Sequence, residues 1–270
     1  MDAVGSAIRV DARGPEVMRI LPRVNEDINE EWISDKTRYI PDGLIRQRLD
    51  RPYVRNNGKL APASWPEAFA AVAAKLKAAS PDRIGVIAGD LQDAESMKAT
   101  LDLFTGLGVK NIDCRQDGAK LGGARESYIF NTTIAGLEDC DAILLVGTNP
   151  RKEAPLVNAR IRKAWLKGKL DIGVIGERAD LHYDHAYLGA GAASLARLIA
   201  GEGDFAKVLK DAKAPAIIVG QGALTGPDGA AVLNLVAQAA QSFGMVVAKT
   251  DDAPAHNGFC LLYTSDAADE

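Results

Sequence analysis

DCDAILLVGTNPRKEAPLVNARIRKA, residues 139–164, is the stretch whose reading decides the fold. Ala142 to Val146 is a short apolar run that starts after acidic residues and stops at Gly147, as a buried parallel strand does. Gly147-Thr148-Asn149-Pro150 is turn chemistry. Pro155 is tolerated in the first turn of a helix and would break its interior. Beyond it Leu156, Val157, Ile161, Ala164 and Trp165 fall at helical spacing, with Arg160, Arg162 and Lys163 between them. The segment therefore reads as strand, tight loop, helix. In an open α/β sheet ligands bind at the carboxyl ends of the strands, and the following helix offers free N–H groups to phosphate. Every parallel β–α unit needs such a loop, however. Taken alone, Gly147, Thr148 and Asn149 read as a connection.

The same alternation extends on both sides. Strands are expected at 84–88, 109–113, 170–175, 216–219 and 245–248. Helices are expected at 93–107, with Met97, Leu101 and Phe104 inward, and at 195–200, 205–212 and 228–243. Strands separated by helices predict an α/β fold with parallel sheets and right-handed crossovers. Gly220-Gln221-Gly222 repeats the glycine-rich strand exit and predicts a second Rossmann-like domain from about residue 204. The strand at 245–248 is then the last regular element.

Upstream, Ala7-Ile8-Arg9-Val10 and Val17-Met18-Arg19-Ile20 flank Arg13-Gly14-Pro15 and predict a β-hairpin over residues 6–24. Residues 25–39 are polar and acidic, with Trp32 and Tyr39 expected to bury their rings. Asn57-Gly58 marks a tight turn. Ser64 and Glu67 form a capping box around Pro66, so a helix starts there, with Phe69, Val72 and Leu76 on one face. The resulting organisation is a β-rich region over 1–60, a first α/β domain over 61–203 and an incomplete second one over 204–259. The last stretch, 260–270, departs from the βα pattern. It resembles a translated sequencing adapter and is expected to lie unpacked.

At 270 residues, 47% apolar and 25% charged, the chain has an ordinary globular composition and can bury a core. Net charge is −4 with no dominant basic block, which argues against a nucleic-acid partner. No apolar run approaches the ~20 residues of a membrane span, and residues 1–5 lack signal-peptide character. Cys114, Cys140 and Cys260 lie far apart, with no Cys-x-x-Cys or Cys/His cluster, so they read as small buried hydrophobes.

Several strings carry a family resemblance. Leu49-Asp50-Arg51-Pro52-Tyr53-Val54-Arg55, Lys59-Leu60 and Ser64-Trp65-Pro66-Glu67-Ala68 resemble the opening of the catalytic domain of molybdopterin oxidoreductases. Asn131 to Glu138, Gly147 to Lys163 and Glu30 to Arg38 narrow this to the family of the large iron–sulfur subunit of respiratory complex I, along residues 1 to about 259. The resemblance implies Rossmann-like parallel sheets of the formate dehydrogenase/DMSO reductase type. It also implies 2Fe–2S and 4Fe–4S clusters in the parent subunit. Partners would be other subunits of the complex's peripheral arm, at the cytoplasmic face of a bacterial inner membrane or the matrix face of the mitochondrial one. Met1 would be an internal methionine and the chain a fragment at both ends.

Departures from the family pattern bear on the chemistry. Cofactor-bearing relatives have a His-Pro pair after the strand-exit loop, where this chain has Ala154-Pro155. Cluster-bearing relatives end a four-ligand set with a cysteine at the position of Ser34, and a serine hydroxyl is a poor substitute for thiolate on iron. The resemblance thus implies a redox-silent piece with no cofactor or metal of its own. Gly147, Thr148 and Asn149 become a vestigial pterin-type loop and Ser34 a lost ligand position. Lys36, which lies between cluster and pterin in active relatives, becomes a surface charge.

Among other candidates, His182 and His185 have metal-ligand spacing but no third partner, and read as a loop at the sheet's edge. Asp139 and Asp141 read as solvation at the start of a strand, and Lys163, Lys167 and Lys169 as complements to a helix C-terminus. No Walker loop, Gly-x-Gly-x-x-Gly or Ser–His–Asp pattern occurs. Two further functional readings remain open. One is a working molybdopterin domain gripping a nucleotide pyrophosphate with Gly147-Thr148-Asn149. The other is a nucleotide-binding module like the central domain of thiamine-diphosphate enzymes, which leaves the hairpin at 6–24 unexplained.

Overall fold

The computed structural model describes residues 3–89, 92–114, 117–168, 170–248 and 255–263. They fall into two compact units, Met1–Pro41 with Ala119–Glu270, and Asp42–Gly118.

The first unit begins with the expected hairpin, β1 (Ile8–Arg13) and β2 (Glu16–Pro22), turned at Gly14-Pro15. A short helix α1 (Asp35–Tyr39) follows, capped by Ser34. Trp32 and Tyr39 do not bury their rings; they stand 58% and 66% exposed. Ile33, Ser34 and Thr37 take the inward positions around the start of α1, which leaves Trp32 and Tyr39 facing out.

The second unit opens with α2 (Pro41–Leu44) at its boundary. It continues as the hairpin β3 (Tyr53–Asn56) and β4 (Lys59–Pro62), whose turn residues Asn57 and Gly58 both have positive φ. Helix α3 (Trp65–Ala78) carries the full Ser64/Glu67 capping box. Then come β5 (Gly85–Ile87), α4 (Ala94–Gly106) and β6 (Asn111–Asp113), with β5 and β6 paired in parallel. Phe69 and Val72 of α3, which share one face, and Leu101 of α4, expected inward, are exposed. A two-stranded sheet is too small to cover the apolar faces of two helices.

The remainder of the first unit holds the main core. Its elements are β7 (Ala142–Val146), a turn of helix α5 (Pro150–Glu153), α6 (Pro155–Leu166), β8 (Asp171–Ile175), β9 (Ala186–Gly189), α7 (Ala192–Ile199), α8 (Asp204–Asp211), β10 (Pro215–Gly220) and α9 (Gly229–Ser242). A two-residue pair, β11 (Val246–Val247) with β12 (His256–Asn257), precedes β13 (Phe259–Leu262). The sheet order is β13-β10-β7-β8-β9, all parallel, so β7 lies at its centre with every residue buried.

Alternate residues of β7 face opposite sides. Ala142, Leu144 and Val146 pack with α7, α8 and α9, while Ile143 and Leu145 pack with Val157, Ile161 and Ala164 of α6. This is a doubly wound α/β layer structure.

Two expectations are corrected here. The strand at 215–220 does not open a second domain after residue 204; it pairs directly with β7. The expected boundaries at 60, 203 and 259 therefore differ from the observed division at 41 and 118. Nor is the strand near 246 the last element. Residues 260–262 are buried in β13, parallel to β10, rather than unpacked. The outer edge of β13 is met by Phe130, which bridges to Cys260, and by Asn131, whose side chain donates to the Phe259 carbonyl at 2.6 Å. Phe259-Cys260-Leu261-Leu262 is a four-residue apolar run of buried-strand length, and that outweighs its departure from the βα rhythm. Residues 264–270 of the expected tail, like Lys169, lie outside the described residues.

Candidate functional site

The sheet reverses its growth at β7. From β7 it extends through β8 to β9, and the chain then returns to lay β10 on the other side. The crevice outside the carboxyl ends of β7 and β10 is therefore the topological switch point, where open α/β sheets bind ligands. The sequence-derived loop Gly147-Thr148-Asn149 sits there.

Several of the loop's polar groups are bonded by other groups of the chain. Gly147, at φ +57°, donates its N–H to the Ile175 carbonyl at 2.8 Å. The Thr148 hydroxyl donates to Glu153 Oε2 at 2.7 Å, and the Asn149 N–H donates to Glu153 Oε1 at 2.8 Å. Asn149 O accepts from the N–H groups of Lys152 and Glu153, which closes the α5 turn. The Asn149 side chain is the exception: its buried Oδ1 has no hydrogen-bond partner among the described residues.

The opposite wall is formed by the loop after β10. A Cβ on Gly147 would lie 2.5 Å from the Cβ of Ala223, and one on Gly220 would run into the Gly147 carbonyl oxygen. The two loops thus touch across the switch point. A diphosphate needs open space and free N–H donors. Here Ala223 stands against Gly147, and the Asn149 N–H and the Thr148 hydroxyl face the carboxylate of Glu153. The residues present do not fit the nucleotide diphosphate of a pterin cofactor.

The other candidates have structural partners. Ser34 is buried, and its hydroxyl oxygen accepts from the Thr37 N–H at 3.3 Å as a helix N-cap. No cysteine occurs in residues 1–42, so the donor set there does not fit an iron–sulfur cluster. Lys36 is exposed. His182 sits in the loop before the edge strand β9, 3.4 Å from Asp180, and His185 Nδ1 lies 3.1 Å from the Tyr183 carbonyl. Among the described residues, no group of three or more His, Cys, Asp or Glu is placed to hold a metal. Asp141 accepts from the N–H groups of Lys213 and Ala214 and ties the start of β7 to that of β10. Burial pushes the Cys140 thiol up to about 12 and that of Cys260 to about 11, so neither is a reactive thiolate. Cys114, expected buried, is exposed.

The sequence reading missed a charge network. Arg160, with a side chain only 5% exposed, donates from Nη1 to Glu138 at 2.7 Å and from Nη2 to the Glu26 carbonyl at 2.6 Å. Lys163 bridges Glu30 at 2.6 Å and Glu138 at 2.9 Å, and Lys167 meets Glu138 at 2.6 Å. Burial alone would raise the Glu138 carboxyl, but hydrogen bonds from Lys163, Lys167 and Arg160 outweigh it and hold it at about 2. The available signal was the spacing of Arg160, Lys163 and Lys167, which puts three cations on one helix face.

Known proteins resemble this chain along most of its length. A family profile described as molybdopterin oxidoreductase matches residues 48–268. A second, described as the NADH-ubiquinone oxidoreductase NDSU1/NuoG-like 4Fe-4S domain, matches residues 1–42. The chain is 48% identical over 247 residues to the mitochondrial NADH dehydrogenase (ubiquinone) iron-sulfur protein 1 of Solanum tuberosum, covering 91% of this chain and 34% of that protein. It is also 48% identical over 236 residues to an NADH-quinone oxidoreductase subunit of Rickettsia bellii, covering 87% of this chain and 35% of that one. The chain thus spans about a third of the length of these relatives.

Proposed function

This chain belongs to the molybdopterin oxidoreductase family, and we propose that within it the chain serves as a redox-silent scaffold. It would be part of the large iron–sulfur subunit of a proton-pumping NADH:quinone oxidoreductase. The assembly would oxidise NADH, pass electrons through 2Fe–2S and 4Fe–4S clusters held elsewhere in the subunit, and reduce a quinone. Its partners would be other subunits of the peripheral arm, on the cytoplasmic face of a bacterial inner membrane or the matrix face of the mitochondrial one. No helix among the described residues is long and apolar enough to cross a membrane. The finer fold reading is the formate dehydrogenase/DMSO reductase type.

One observation carries the scaffold reading. The place where this fold class binds its ligand is filled by the chain's own groups, Glu153 on the donors and Ala223 against Gly147. Position 34 supports the same reading, because its serine spends its oxygen on capping α1. Metal analysis of the purified full-length subunit tests the proposal. It should find iron and acid-labile sulfide but neither molybdenum nor tungsten. A stoichiometric content of either metal would overturn the scaffold reading in favour of a working pterin domain. The 270-residue chain by itself should remain colourless after iron–sulfur reconstitution.

A further inference from the structure

The N-terminal region and the α/β core meet at a joint that apolar packing leaves incomplete. A cavity of about 440 Å³ lies between Ala3, Val4 and Ile28 on one side and Phe130, Ile134 and Val157 on the other. Across residues 3–41 two hydrophobic side chains, Ile20 and Ile33, are buried, against three polar ones, Asn29, Ser34 and Thr37. Ala3 and Val4 pack against the core, but van der Waals contact beside an open pocket sets orientation less well than directional bonds do. Something directional has to do it.

Asn29 knits the N-terminal region to itself. Its side chain accepts from the Ala7 N–H at 2.9 Å and donates to the carbonyls of Arg23, Glu30 and Trp32. The start of the hairpin, its end and the approach to α1 are thereby held to one residue. The next residue, Glu30, faces α6 at φ +49° and meets Lys163 at 2.6 Å and Arg160 at 3.5 Å. Arg160 reaches further and donates to the backbone carbonyls of Glu26 and Ile28. Its planar fork can serve carboxylate and carbonyl at once, which a lysine ammonium on a flexible stem does less specifically.

We propose that Arg160 is the positioning residue of this joint: it fixes the N-terminal region on α6 by reading the backbone of residues 26–28 and the carboxylates of Glu30 and Glu138 together. Arg160 lies on α6, which follows the switch-point loop and α5, so the same chain segment runs from the β7 exit to the region matched to the 4Fe-4S domain family. The inference stands apart from the scaffold reading, since metal content and joint geometry are measured separately.

The test is residue-resolved hydrogen exchange on the 270-residue chain, comparing wild type with Arg160→Met and Arg160→Lys. In both variants the amides of Ala7, Glu30 and Trp32 should exchange roughly tenfold faster or more, while those of β7 and β8 keep their wild-type rates. Lys163→Gln, which leaves the carbonyl contacts of Arg160 in place, should change the same amides much less. Unchanged exchange at Ala7, Glu30 and Trp32 in both variants would overturn the proposal. So would an equal rise throughout the chain or general unfolding in both, because Arg160 would then support the whole fold rather than the joint. Full rescue by Arg160→Lys would show that charge alone suffices, and would also overturn it.

Discussion

Gly147 and Ala223 close the switch point between them: a methyl on Gly147 would lie 2.5 Å from the Ala223 Cβ. Gly147 also holds φ at +57°, where an L side chain is strained. Gly147→Ala therefore incurs a backbone penalty and a steric one at the same place. The expected loss is about 2–4 kcal/mol, read as a lower urea midpoint with an unchanged slope. A variant as stable as wild type would show that the two loops can part readily, and the closed crevice would lose its force.

Glu153→Ala removes the acceptor for the Thr148 hydroxyl and the Asn149 N–H at once. Each half-buried donor left without a partner costs of order 1–3 kcal/mol unless water reaches it. Destabilisation of at least ~1 kcal/mol is expected. Calorimetric titration of the wild-type chain with inorganic pyrophosphate should show no heat of binding, because the carboxylate already holds those donors. Saturable pyrophosphate binding by wild type would count against the self-filled loop.

The Glu138 carboxyl is held at about 2 against an ordinary value of 4.5. Its folded value is depressed, so it contributes stability that is present above about pH 4.5 and is lost as pH falls towards 2. Acid titration of stability in that window should be steeper for wild type than for Glu138→Gln. Equal slopes would mean that the charge network is screened or unformed in solution.

Leu261 is 1% exposed in β13 and packs in the cluster that contains Phe259, Ile217 and Val219. Leu261→Ala should cost about 2–5 kcal/mol, the range for a buried leucine leaving a cavity. Thermal or urea denaturation measures it. A loss below ~0.5 kcal/mol, the range of surface changes, would mean that β13 is not part of the folded sheet.

Much of the local architecture was legible in the residues. The β7 run, the capping box of Ser64 and Glu67, the turns at Gly14 and Asn57-Gly58, and Pro155 at a helix start all follow from contacts within a few positions of the chain. The loop Gly147-Thr148-Asn149 was also located correctly, because strand exits in parallel sheets are marked by glycine. Its occupant was not legible. Nothing in the spacing of Glu153 says that its carboxylate turns back onto Thr148 and Asn149.

Amino-acid sequence by itself determined most of the helices and strands, the parallel α/β class and the absence of a cysteine ligand set in residues 1–42, because these depend on periodicity, turn chemistry and donor identity. Tertiary structure alone decided three other matters. It placed β10 beside β7 instead of in a second domain, inserted residues 259–262 as an edge strand against Phe130 and Asn131, and gathered Glu30, Glu138, Arg160, Lys163 and Lys167 into one network. Each of these joins residues far apart in the chain. Local periodicity carries no record of which distant strand or carboxylate a segment will meet; burial and charge pairing settle that only when the chain has closed on itself.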